Sequence, residues 1–320
     1  MLDLLLLLLG IALLTFGGEL LIRGALSAAQ RLGISPLLSG LVIVGFGTSA
    51  PELVVSVDAA LNGRPDIAVG NVVGSNIANI LLILGLCSLI MPMVVKPLAL
   101  RRDAITVVAA SLLLILLGDG ATLGRLAAII LLACLAVYLL WAYWSESYQG
   151  APAAEVHLAE AKEVSTAAKP DVVTLSYVIF GLLFLIGGSD LLIKGAVGIA
   201  HYLDVSEALI GLTVVAVGTS LPELTISVIA ALRRHADVAV GNVLGSNIFN
   251  LLGILGISAL LQPFSIPARI LEFDQWVMLS TAILLLIFLY TGRRLSRLEG
   301  GILLAGYGCY IGVSLVGFAG

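Results

Sequence analysis

The sequence predicts an all-α polytopic membrane protein, with ten transmembrane helices in two inverted five-helix repeats. Three observations carry that prediction: an apolar composition, an internal duplication, and an uneven distribution of lysine and arginine. Of 320 residues, 60% are hydrophobic and 11% charged, and the mean hydropathy is +1.14. A soluble domain carries about 25% charged residues, so the solvent for this chain is a bilayer. The net charge of -4 points to no acidic or basic partner, and neither a nucleic acid nor a protein partner is expected. Cys87, Cys134 and Cys309 lie far apart in apolar runs, which suggests neither a disulfide framework nor a thiolate metal site.

The N-terminal run MLDLLLLLLGIALL has no basic region before it and no small-residue cleavage site followed by a polar chain, so it reads as a retained first helix. From there, glycine, proline and charge clusters divide the chain into ten apolar segments at 2–22, 36–61, 67–91, 104–118, 123–144, 172–194, 207–232, 238–261, 276–291 and 300–318. The long polar stretch SESYQGAPAAEVHLAEAKEVSTAAKPD, 145–171, reads as a linker between a first half, 1–144, and a second half, 172–320. It carries no dense acidic cluster and is expected only to connect them.

The halves are copies. Residues 40–85 match 211–256 at 29 of 46 positions with a constant shift of 171. GFGTSAPELVVSVDAAL answers AVGTSLPELTISVIAAL, and DIAVGNVVGSNIANILLILG answers DVAVGNVLGSNIFNLLGILG. Asp103 and Asp274 keep the same shift, and FGGELLIRGA resembles IGGSDLLIKGA with one residue inserted. Each half is thus a five-helix unit, and because five is odd the second must enter the membrane from the opposite side. With both termini outside and the linker in the cytoplasm, the inner loops hold 12 of the 16 lysines and arginines, and Arg64, Arg125, Lys194 and Arg269 remain outside. Inverted repeats of this kind typify secondary transporters.

Polarity concentrates in the second and third segments of each repeat. Thr48, Ser49 and Glu52, like Thr219, Ser220 and Glu223, share a helix face by their spacings of three and four; so do Ser75 with Asn79 and Ser246 with Asn250. Pro51 and Pro222, placed mid-helix, remove the amide that would bond Gly47 and Gly218, which predicts an opened turn offering main-chain oxygen at membrane depth. An intramembrane carboxylate is functional by default, and here two occupy equivalent positions. The hydroxyls could serve instead to satisfy broken backbone. Asn71, Asn76, Asn242 and Asn247 are expected to bond between helices, and Gly70, Gly74, Gly241 and Gly245 to allow close approach. Asp58, matched by Ile229, reads as a solvated helix end in preference to an ion-entry residue, and Glu19 and Asp190 as either lining a watery approach or lightly paired. Carboxylate, amide, hydroxyl and carbonyl oxygens suit hard cations such as calcium, magnesium, manganese or sodium, and the isolated His157, His201 and His235 form no transition-metal site. No nucleophile–base or metal–histidine arrangement for an enzyme is present, and no cofactor is expected.

At GTSAPEL with GNVVGSNIAN, and GTSLPEL with GNVLGSNIFN, the sequence resembles the calcium/cation antiporter superfamily, in particular its sodium/calcium exchanger family with bacterial members. The likeness covers both halves outside the linker. It implies sodium and calcium competing for sites on the second, third, seventh and eighth helices, and the first and sixth helices sliding as a gate. Carried over by position, it implies carboxylate ligands at Glu52 and Glu223, hydroxyl ligands at Thr48, Ser49, Thr219, Ser220, Ser75 and Ser246, and an amide at Asn79. Main-chain ligands fall at Gly45 and Ala216. Asn250 stands where some members, including potassium-dependent ones, carry aspartate, which argues against potassium cotransport and leaves two carboxylates. The expected activity is electrogenic sodium/calcium antiport, extruding calcium across the cytoplasmic membrane. A proton/calcium antiporter, or a potassium-dependent exchanger, using the same glutamates is the alternative.

Overall fold

Apolar runs in lipid leave the backbone no hydrogen-bond partner but itself, and in the computed structural model of the chain they fold as helices. The structure describes residues 2–31, 45–94, 97–118, 120–147, 171–234, 236–291 and 294–317. The helices are α1 (Leu2–Arg31), α2 (Ala50–Leu61), α3 (Pro65–Ile90), α4 (Pro97–Gly118), α5 (Arg125–Ser147) and α6 (Asp171–Leu203). They are followed by α7 in two halves (Glu207–Thr219 and Leu221–Leu232), α8 (Ala236–Ile248, continuing to Leu261), α9 (Ile270–Tyr290) and α10 (Arg297–Gly317).

Among the described residues, seven helices are long and apolar enough to cross a membrane, and eight if the halves of α7 form one bent span. That count falls short of the expected ten for local reasons. The first part of segment 36–61 lies outside the described residues, as does most of linker 145–171. Helix α4 carries Arg101, Arg102 and Asp103 near its start.

Helices α1 and α6 overrun their expected ends at 22 and 194. Arg23 pairs with Glu19 and Lys194 with Asp190 one turn back, so each charge is satisfied along an exposed face and the helix continues. The two helices pack antiparallel through glycines at seven-residue intervals, Gly10, Gly17 and Gly24 against Gly181, Gly188 and Gly195. A Cβ built on Gly10 would lie 2.5 Å from the amide nitrogen of Leu192, and one on Gly195 2.5 Å from that of Leu7. The same economy brings α3 onto α7, where a Cβ on Gly74 would sit 2.3 Å from the carbonyl oxygen of Leu212. The repeat counterparts of that contact fall in 32–44, outside the described residues.

The duplication shows in the tertiary ties. Four two-residue strands, β1 (Met93–Val94), β2 (Thr122–Leu123), β3 (Phe264–Ser265) and β4 (Arg294–Leu295), pair antiparallel as β1 with β4 and β2 with β3. Since β3 stands 171 residues after β1, each repeat lends one strand to each ladder. The aspartates that keep the same shift are tied alike. Tyr138 donates its hydroxyl to Asp103 Oδ1 at 3.2 Å, and Arg102 Nε donates to the same oxygen at 2.7 Å. Tyr310 donates to Asp274 Oδ1 at 2.9 Å, and Arg269 Nε to Oδ2 at 3.0 Å. Buried α3 and α8 form the centre, with α2 and α7 against them and α1 and α6 outside.

Candidate functional site

The site lies where the helices of the second segment of each repeat break. In α7 the axis turns by 48° between Thr219 and Leu221. Ser220 leaves the helical region with φ -80° and ψ 11°, and Ser49 does the same with φ -84° and ψ 12°. The prolines are not mid-helix, as the sequence reading placed them. Each stands in the first turn of a new helix, where a missing amide hydrogen removes nothing that the helix would use. The break falls at Ser49 and Ser220, two residues before each proline and within the turn expected to open after Gly47 and Gly218, and it puts Glu52 and Glu223 in the first turn of their half-helices, where the backbone dipole favours a negative charge.

Ser49 and Glu52, like Ser220 and Glu223, have the spacing of a capping box, yet neither serine caps its own helix. They exchange partners across the repeats. Ser49 Oγ donates to Glu223 Oε1 at 2.8 Å, and Ser220 Oγ donates to Glu52 Oε1 at 2.8 Å. All four side chains are buried. The second oxygen of each carboxylate, Glu52 Oε2 and Glu223 Oε2, has no hydrogen-bond partner.

Around this pair α3 and α8 supply amides. Asn71 donates to Ser56 Oγ at 2.9 Å and to the Glu52 carbonyl at 3.3 Å, and accepts from Thr219 Oγ1 at 3.0 Å. Asn242 repeats the pattern with Ser227 at 3.1 Å, the Glu223 carbonyl at 3.4 Å and Thr48 at 3.4 Å. Thr48 Oγ1 also lies 3.3 Å from Ser246 Oγ, and Ser75 donates to the Asn71 carbonyl at 2.6 Å. Asn79 donates to Asn247 Oδ1 at 2.9 Å, whereas neither polar atom of Asn250 has a partner, and Asn76 Oδ1 and Asn79 Oδ1 are orphaned as well. Both Asn79 and Asn250 stand where their helices widen into a π-turn, a feature frequent at functional sites. Ala216 opens the last turn before the break, and its carbonyl takes the Ser220 amide at 3.1 Å. Gly45 begins the short helical turn Gly45–Gly47 ahead of Thr48.

The structure thus brings Glu52, Ser220 and Thr219 together around Asn71, and Glu223, Ser49, Thr48 and Ser246 together around Asn242, two matching hydrogen-bonded clusters that each draw on both repeats; Ser75, Asn79 and Asn250 are buried on α3 and α8. A buried acceptor without a donor costs about 1–3 kcal/mol. Two carboxylate oxygens and three amide oxygens are in that condition, and oxygens of both kinds are hard ligands of the sort that calcium and sodium take. The sequence reading missed the exchange of serine partners and the part of Ser56 and Ser227, although both serines recur in the repeat four residues after each glutamate.

Other candidates lie apart. Glu19 and Asp190 are exposed and paired with Arg23 and Lys194 on their own helices. Asp58, expected as a solvated end, is half-buried and accepts from Ser189 at 2.8 Å and from Asn62 at 2.7 Å.

The family model described as sodium/calcium exchanger protein matches residues 2–144 and 173–316. The chain belongs to the sodium/calcium exchanger family. It is similar to the putative antiporter CaxA of Alkalimonas amylolytica, with 40% identity over 304 residues, 94% of each chain. It is also similar to the sodium/calcium exchanger MaX1 of Methanosarcina acetivorans, with 31% identity over 347 residues, 97% of each. Among solved structures, the sodium-calcium exchanger NCX_Mj soaked with sodium and calcium aligns with a TM-score of 0.66 and 30% identity over 98% of both chains. Family and fold are those of membrane cation/calcium antiporters rather than of catalytic enzymes.

Proposed function

We propose that the protein exchanges sodium for calcium across the cytoplasmic membrane by alternating access, electrogenically, and normally extrudes calcium. The observation that carries this reading is the pair of orphaned carboxylate oxygens, Glu52 Oε2 and Glu223 Oε2, each fully buried at a helix break and without a hydrogen-bond partner. Glu52 and Glu223 supply the charge. Thr48, Ser49, Thr219, Ser220, Ser75, Ser246, Asn79 and Asn250 supply neutral oxygens, and Gly45 and Ala216 their carbonyls.

Exchange follows from the electrostatics of such a site. Two ionised carboxylates in a medium of low dielectric constant repel one another and are poorly solvated. The empty, doubly charged site is costly to carry through the bilayer, and a cation taken from the far side removes that cost. One calcium ion or two sodium ions balance the pair, so a third sodium, as the family resemblance implies, moves one net positive charge. The orientation has both termini outside and linker 145–171 in the cytoplasm. The ladders support ten alternating segments, because β1 and β4 then share the inner face and β2 and β3 the outer.

The experiment is calcium uptake into sodium-loaded proteoliposomes at clamped membrane potential. An interior-positive potential should accelerate uptake, because sodium leaving carries the excess charge outward. Uptake indifferent to potential would remove the electrogenic part of the reading.

A further inference from the structure

Asn71 and Asn242 do not belong to the ligand set above, yet each touches both repeats. The orientation of the Asn71 amide is dictated by its neighbours. The Glu52 carbonyl can only accept, so the amide NH2 must face it, at 3.3 Å, with Ser56 Oγ at 2.9 Å on the same side. That leaves Asn71 Oδ1, itself an acceptor only, toward the Thr219 hydroxyl at 3.0 Å. Thr219 has one proton and two possible recipients, Asn71 Oδ1 and the Ala216 carbonyl at 3.2 Å. The Ala216 carbonyl already accepts the Ser220 amide at 3.1 Å, so a second donor would occupy its remaining lone pair. Where the proton goes decides whether Ala216 offers an oxygen to a cation. The second repeat holds the same arrangement, with Asn242 oriented by the Glu223 carbonyl and facing Thr48 Oγ1 at 3.4 Å, while Ser246 Oγ at 3.3 Å is the competing partner.

We propose that Asn71 and Asn242 are positioning residues that draw the hydroxyl proton of the opposite repeat's threonine away from the site. In this way Asn71 turns the lone pairs of Thr219 and the free lone pair of Ala216 toward the transported cation, and Asn242 does the same for Thr48 and Ser246. The inference rests on the proposal that Thr219 and Ala216 face the ion. It adds that their readiness to do so is set from α3 by a side chain that does not bind the ion. Each amide also couples the half-helix of one repeat, through its glutamate carbonyl, to the break in the other, so both breaks are held in register by the same atoms.

The test is a double-mutant cycle on the apparent calcium affinity of sodium-driven uptake. Asn71→Ala and Thr219→Val should each weaken affinity about tenfold, and the double variant by no more than about tenfold, because without the hydroxyl no proton remains to be misdirected. Ser56→Ala, which removes another partner of the amide but leaves its oxygen on Thr219, should keep wild-type affinity within about twofold. Losses that multiply to about a hundredfold in the double variant, or a Ser56→Ala loss equal to that of Asn71→Ala, would overturn the inference and assign Asn71 to helix packing alone. If Asn71→Ala does not accumulate in the membrane, Asn242→Ala with Thr48→Val runs the same cycle in the other repeat and decides it by the same criterion. Absence of sodium-driven uptake in the unmodified protein would instead overturn the ligand assignment, and this inference with it. Uptake in the unmodified protein with multiplying losses overturns the inference alone.

Discussion

At the scale of single residues, the proposed exchange turns on Glu52 and Glu223, two carboxylates fully buried at membrane depth. Glu52→Gln and Glu223→Gln keep the size of each side chain and its hydrogen bond from the opposite serine, but remove half of the site's charge. Each should abolish calcium uptake while the protein still inserts and purifies, checked by flux in proteoliposomes beside a size-exclusion profile. Protons compete for the same oxygens, so acidifying both faces together should lower transport steadily; a rise under those conditions would contradict the assignment. Much of this site was legible, because Thr48, Ser49, Glu52, Asn79 and their counterparts announce themselves as polar residues repeated inside apolar helices. What remained hidden was who pairs with whom. The spacing of Ser49 and Glu52 reads as a local capping box, and only the meeting of the two breaks converts it into an exchange of partners. Asp58 was misjudged for a similar reason, since its partner Ser189 lies in the other half of the chain.

At the scale of elements, small residues set how closely helices approach. Gly74 leaves no room for a Cβ, which would meet backbone atoms of α7 that cannot rotate away. Gly74→Ala should therefore destabilise the fold by about 1–3 kcal/mol, read as a lower Tm in detergent. By contrast Gly308→Ala on the exposed face of α10, where nothing lies within 4 Å, should leave Tm unchanged. The glycine pattern of α3, Gly70 and Gly74, was readable as an approach site. The lengths of α1 and α6 were not, because Arg23 and Lys194 look like helix ends until their partners one turn back are seen. The prolines carried a true signal with a misplaced address: they mark the break, but from its far side, as first-turn residues of the helices that follow it.

At the scale of the whole molecule, the two repeats are tied together by matching contacts, and the proposed alternating access would rest on them. Ser49 and Ser220 each bond the glutamate of the other repeat, the strand ladders join one repeat to the other, and α1 runs antiparallel to its counterpart α6. Duplication could be read from the shift of 171, whereas the crossing contacts could not, since a repeat alignment places equivalent residues side by side without saying which of them touch. A site shared between repeats should demand a counter-ion for every turnover. The measurement that tests this most directly is radiolabelled calcium uptake into proteoliposomes loaded with sodium, potassium or choline, with and without an imposed pH gradient. Uptake only from sodium-loaded vesicles, whatever the pH gradient, is the predicted result; uptake that follows the pH gradient regardless of sodium, or proceeds without any counter-ion, would contradict it.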